Sequence, residues 1–378
     1  MGKYTLRGSP ALDARIDADM ARVATAVSRL PEAARLRAVV LLGGYGRGEG
    51  TPFLRDGVQI PYNDYDLVVV ADDLGRQEAS VLRAHLKAAE GELGTACGIP
   101  VDLCLYTEQR LRRAEPSLLN CEMRWGHQVI WGDPDILALM PRYSFADVPA
   151  SEGTRLLMNR GALLLDVARF LEGLPTLYEP PNPISMVKFL LKALLAFGDA
   201  ALLITGRYDI RYTAKKGLVE DLAAEPGLPD ARFLIDQYRR AIELKEWAET
   251  ERLRDFPLRQ EWPAVRDYFL RFLRWYEERR LKDCGAAAGD YAAQLRRCPH
   301  PPGRWRSLGV NVLTFRQRAL EPEFGWLFSH PRLRLFAALP LLLAAAPDRR
   351  QAAALLLAAA DDRDTVEERF KHLQLRFS

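Results

Sequence analysis

With 378 residues, 48% hydrophobic and 27% charged, the chain has the balance of a globular protein large enough for two or three domains. A net charge of only +3 gives no concentrated basic excess of the kind that marks a nucleic-acid binder. The five cysteines (Cys97, Cys104, Cys121, Cys284 and Cys298) include no C-x-x-C pair, which sets aside a disulfide framework and a zinc site and points to a reducing compartment.

The N-terminal stretch "MGKYTLRGSPALDARIDADM" holds three aspartates and no apolar signal core, so no secretion is expected. The apolar spacing predicts a helix over 11–30, ended by Pro31. "LRAVVLLGG" reads as a strand and "YDLVVVADD" as a second. Ala79, Leu82, Leu86, Ala89 and Leu93 recur at helical intervals, giving an amphipathic helix over 76–93. "GIPVDLCLYT" is a third strand and "HQVIWGD" a fourth. Beyond Asp133 helical patterns take over, at 152–172, 184–205, 230–253, 262–282 and 334–360. The expected class is α+β: a mixed β-sheet with flanking helices over 1–145, then an all-α domain over 146–378 that forms the other wall of a cleft. The apolar runs 184–205 and 335–346 contain Lys188, Lys192 and Asp199, or Pro340, and read as buried helices rather than membrane spans. A cytoplasmic protein is expected.

Asp64 and Asp66 stand at i and i+2 at the start of a strand, so both carboxylates leave one face. Asp102 interrupts a short apolar strand; alternation sends Val101, Leu103 and Leu105 one way and Asp102, Cys104 and Tyr106 the other. If this strand pairs beside 65–71, three carboxylates converge, and like-charge repulsion then calls for a cation. Oxygen-only ligands suit Mg²⁺ or Mn²⁺. The loop "GGYGRGEG" carries Gly43, Gly44, Gly46, Gly48 and Gly50, which let backbone N–H groups approach an anion, while Arg47 offers a bidentate phosphate contact. It has neither the Gly-Lys-Ser/Thr of a P-loop nor the spacing of a dinucleotide fingerprint.

Together, "LLGGYGRGEG…NDYDLVVV…VDLCL" resembles the signature of the nucleotidyltransferase superfamily with the DNA polymerase beta-like fold. Its loop is most similar to the bacterial uridylyltransferases of nitrogen signalling. The resemblance covers residues 36–106. It implies that Gly43 and Gly44 hold the triphosphate, that Asp64 and Asp66 bind two metals, and that Asp102 completes one metal site and activates the acceptor hydroxyl; Tyr45 and Arg47 beside the glycines are expected to contact the nucleotide as well. Two departures are Gly44, where many members carry serine, and the nineteen residues between Gly44 and Asp64, which read as an insertion able to form a hairpin.

On helix 184–205, Lys188, Lys192 and Asp199 form a narrow polar stripe on an otherwise apolar surface, and Lys188 or Lys192 is expected to neutralise the phosphates. The loop "TGRYDIRYTAKKG" reads as exposed, and Arg155, Asn159, Asp166 and Arg169 as a solvated helix face. The expected activity is transfer of an NMP from an NTP, ATP first, to a hydroxyl acceptor with release of pyrophosphate; a small-molecule acceptor ranks ahead of a protein. The alternatives are a non-catalytic nucleotide-binding or antitoxin-like protein of the same fold, and an RNA-tailing enzyme.

Overall fold

A computed structural model describes residues 2–282, 291–297, 303–316 and 326–377; Cys284, Cys298 and His300 lie outside them. In chain order the helices and strands used below are α1 (Pro10–Ser28), β1 (Leu36–Leu41), α2 (Gly43–Gly46), β2 (Pro52–Arg55), β3 (Val58–Pro61), β4 (Tyr65–Ala71), α3 (Arg76–Cys97) and β5 (Val101–Thr107). They continue with α4 (Glu108–Arg112), α5 (Leu118–Trp125), β6 (Gln128–Gly132), α6 (Ser151–Leu171), α7 (Pro183–Ile204), α8 (Tyr212–Leu218), α9 (Ala231–Glu246) and β7 (Ala248–Glu249). The last are α10 (Thr250–Arg254), α11 (Leu258–Leu281), α12 (Tyr291–Arg297), α13 (Arg304–Phe315), α14 (Pro331–Leu343), α15 (Arg349–Leu356) and α16 (Arg363–Phe377). The class is α+β, as the sequence indicates, with the strands early and helices dominating later.

The chain divides into two compact units. One is Met1–Pro149 with Gly206–Glu220 and Arg239–Asp255; the other is Ala150–Thr205, Asp221–Tyr238 and Phe256–Ser378. Reading 1–145 and 146–378 as successive domains therefore differs from the structure, in which the first unit takes in two later segments. Long-range pairing is the reason. Strand β7 joins β2 in parallel, Phe53 beside Ala248 and Leu54 beside Glu249.

The first unit is built on a four-stranded mixed sheet of order β5-β4-β1-β6. Strand β1 is antiparallel to both β4 and β6, and β4 is parallel to β5. Helices α1 and α3 cover one face. Their apolar stripes (Leu12, Ile16, Met20 and Val23; Leu82, Leu86 and Leu93) close on Val39, Leu41, Leu67, Val69, Val101, Leu103 and Leu105. Ser9 caps α1 by accepting from the Leu12 N–H, and Gly98 ends α3 in the left-handed conformation. The insertion 51–62 does form a hairpin, β2–β3, turned by Asp56-Gly57 with both φ positive, the pairing that a tight hairpin demands.

In the second unit α6 packs on α7, α11 and α14. The helix expected over 230–253 ends at Glu246, because the chain is drawn out to pair with β2. That expected over 334–360 breaks after Leu343 ahead of Pro347, and Asp348 caps the next helix, α15. Asp166 and Arg169 are buried, not solvated. Asp166 accepts the Tyr178 N–H at 2.9 Å, and Arg169 pairs with Glu367 at 2.7 Å. Asp199 is buried as well and accepts the Tyr238 hydroxyl at 2.6 Å, so the polar stripe expected on α7 is in part a core hydrogen bond.

Gly46 sits where the glycine loop crosses the end of β1, and a Cβ there would stand 2.5 Å from the Leu41 carbonyl oxygen and 3.0 Å from that of Gly126. Both obstacles are backbone. Gly46→Ala is expected to cost about 1–3 kcal/mol, read as a lowered midpoint in urea unfolding.

Candidate metal centre and glycine loop

The parallel register of β4 and β5 sets Asp66 directly beside Asp102. Since Leu67, Val69, Leu103 and Leu105 face the helices, period-two alternation puts both aspartates on the opposite face. Asp64 precedes the strand after Asn63, which holds a left-handed φ of 74°. One carboxylate oxygen from each of Asp64, Asp66 and Asp102 lies within 4.8 Å of the others. Although Asp102 is exposed to solvent, partial desolvation, together with the Asp64 and Glu90 carboxylates, pushes its carboxyl above its usual range, against the opposing pull of Lys87. A donor set of carboxylate oxygens alone, crowded enough to hold back ionisation, fits Mg²⁺ or Mn²⁺.

The loop approaches this centre closely. Gly43 has φ +63°, and a Cβ on it would lie 2.6 Å from Asp66 Oδ2. Only glycine fits there. The N–H groups of Gly43 and Gly44 open the short helix α2, whose geometry gives them no acceptor within the helix.

Tyr45 and Arg47, expected to contact the nucleotide, both have partners within the protein. Tyr45 is buried and stacks edge-on against Tyr65 at 5.2 Å between ring centroids. Its hydroxyl accepts the Tyr62 N–H at 2.7 Å and reaches the Thr51 carbonyl at 2.9 Å. It ties the loop to the hairpin. The side chain of Arg47 is only 5% exposed, its Nη1 3.1 Å from Glu122 and its Nε 3.7 Å from Glu49. Burial opposes its charge, yet Glu122, Tyr212 and Glu49 hold the guanidinium protonated above its ordinary value. The guanidinium thus lies between two carboxylates.

The segment "TGRYDIRYTAKKG" is not an open loop but contains α8. Lys215 is buried with its Nζ 4.4 Å from the Tyr208 ring centroid and 4.6 Å from that of Tyr212. Lys245, near the end of α9, lies 5.5 Å from the Tyr212 ring centroid. Burial holds its ammonium below the ordinary lysine value and Arg47 adds to this, while Asp64, Glu49 and Glu122 pull the other way. Lys245 is thus within electrostatic reach of Asp64. Sequence reasoning passed over it, and over Glu122, because each is one charged residue on an amphipathic helix. Lys188 and Lys192 belong to the second unit; Lys188 pairs with Glu179 at 3.4 Å, and Lys192 is not without a partner.

No protein-family model and no curated protein matches the chain. Among solved structures it is similar to spectinomycin adenyltransferase from Enterococcus faecialis, whose crystal structure is described with ATP and spectinomycin. The identity is 12% and the TM-score 0.36, over 67% of this chain and 98% of that one. A likeness at that level carries nothing over to this chain. No described helix is long and apolar enough to cross a membrane.

The raised Asp102 carboxyl has a stability consequence. Its folded titration lies above its unfolded one, so the contribution is most favourable at low pH and is lost as the pH rises through the folded value. Asp102→Asn is therefore expected to raise the unfolding midpoint of the metal-free protein at pH 7. At this solvent-exposed position, screening limits the gain to about 0.5 kcal/mol. The gain should shrink on acidification, and the variant should lose any stabilisation by Mn²⁺; both are read by thermal melts with and without the ion.

Proposed function

We propose that the protein is a metal-dependent nucleotidyltransferase that moves an NMP from an NTP, ATP being the first candidate, to a hydroxyl of an acceptor and releases pyrophosphate. A small-molecule acceptor is favoured over a protein. The observation that carries this reading is the convergence of Asp64, Asp66 and Asp102 to within 4.8 Å, beside a glycine whose missing side chain leaves Asp66 accessible.

In this reading Asp64 and Asp66 would hold the ions, and Asp102 would complete one site. Divalent cations held there would lower the pKa of the attacking hydroxyl and offset charge on the leaving pyrophosphate. Asp102 would take the proton from the acceptor hydroxyl as general base. Gly43 and Gly44 present backbone N–H groups to the phosphates. Lys245 takes the charge-balancing role: its ammonium is under the influence of Asp64, whereas Lys188 is engaged with Glu179. Tyr45 and Arg47 support the loop from beneath and make no contact with the nucleotide.

Incubation of the protein with each α-labelled NTP, Mg²⁺ or Mn²⁺ and cell extract is expected to release pyrophosphate and to place label on a small molecule. Asp66→Ala should abolish transfer, a loss of at least about 10³-fold, while keeping its circular-dichroism spectrum. Undiminished turnover by that variant, or failure of the unaltered protein to bind any NTP, rejects the reading. Lys245→Met should raise the nucleotide KM about tenfold.

A further inference from the structure

Helix α8 begins without a cap of its own, since Arg211 stands at its N-cap and contributes no side-chain hydrogen bond. The first amides of any helix have no acceptor within it. Here they are satisfied from 163 residues away: Glu49 Oε2 accepts the Tyr212 N–H at 2.9 Å. Glu49 Oε1 accepts the Thr213 N–H at 3.1 Å and the Thr213 hydroxyl at 3.0 Å. The Glu49 side chain is only 4% exposed, and it lies 3.7 Å from Arg47 Nε. A buried carboxylate needs such a set of donors to remain ionised. The backbone it fixes carries the Tyr212 ring, against which Lys215, Lys245 and Arg47 lie, with Lys245 at 5.5 Å.

Resting on the nucleotidyltransferase reading, we infer that Glu49 is a positioning residue for nucleotide binding. By capping α8 from the glycine loop it sets the Tyr212 ring, and the ring in turn seats the Lys245 ammonium for the phosphates. The conserved shape of glutamine does not reproduce this function. An amide presents one acceptor oxygen and one donor NH₂ to a site made of donors, so Glu49→Gln leaves at least one α8 N–H unmatched.

The experiment is a double-variant cycle on the full-length protein, with a fluorescent ATP analogue and Mn²⁺ as probes. Glu49→Gln and Lys245→Met are each expected to weaken analogue binding about tenfold, and the double variant should bind no more weakly than Lys245→Met alone. Mn²⁺ affinity without nucleotide should change less than about twofold, because the carboxylates of Asp64, Asp66 and Asp102 are untouched. A merely structural Glu49 would instead multiply the loss in the double variant, or depress Mn²⁺ binding equally; either result overturns the inference, as does normal binding by Glu49→Gln. Should Glu49→Gln not fold, Thr213→Val, which removes a single donor, is expected to weaken binding about threefold and to do so only when Lys245 is present. Nucleotide binding by the unaltered protein with no effect of Glu49→Gln defeats this inference alone. No binding by the unaltered protein defeats the nucleotidyltransferase reading and this one together.

Discussion

The candidate site depends on hydrophobic burial that holds aspartates together against their like-charge repulsion. Two of them are neighbours because β4 and β5 run parallel in a fixed register, Asp66 beside Asp102. That register is secured from the other side of the sheet, where Leu67, Val69, Leu103 and Leu105 are buried under α1 and α3. A slip of one residue in β5 would exchange Asp102 for Leu103 in the core, so hydrophobic burial specifies the electrostatically unfavourable arrangement. The apolar face positions the acidic one.

The glycine loop shows how charge and size divide the work. Its glycines permit close approach, Gly43 to Asp66 and Gly46 to the end of β1. Its larger residues face inward: Tyr45 to the hairpin, Arg47 to Glu122, and Glu49 to α8. Side chains that look like ligands in a one-dimensional reading have partners within the protein. Desolvation decides between the two roles, because a buried arginine with two carboxylates near it gives up much to leave them.

The sheet was legible from the amino-acid pattern because alternation and helical spacing are local. β1, β4, β5 and β6, with α1 and α3, lie where the apolar periodicity puts them, and the facing of Asp102 follows from its neighbours Val101 and Leu103. What was hidden depends on contacts between distant residues. Nothing near Trp247 announces a strand, since its partner is β2. Nothing near Arg211 announces a cap, since Glu49 supplies it. Asp166, Arg169 and Asp199 read as solvated or cleft-facing because helical spacing assigns a face but not what covers it; each proves to be buried with a hydrogen-bonding partner.

The interleaved course of the chain bears on how the protein is made. The first unit includes Arg239–Asp255, so a ribosome must deliver about two-thirds of the polypeptide before β2 meets its parallel neighbour. Until then the β2 edge is unsheltered and the N-terminus of α8 has yet to be matched with Glu49. A fragment ending near Pro149 would hold all three aspartates and still lack these closures, leaving an exposed strand edge with a tendency to self-associate.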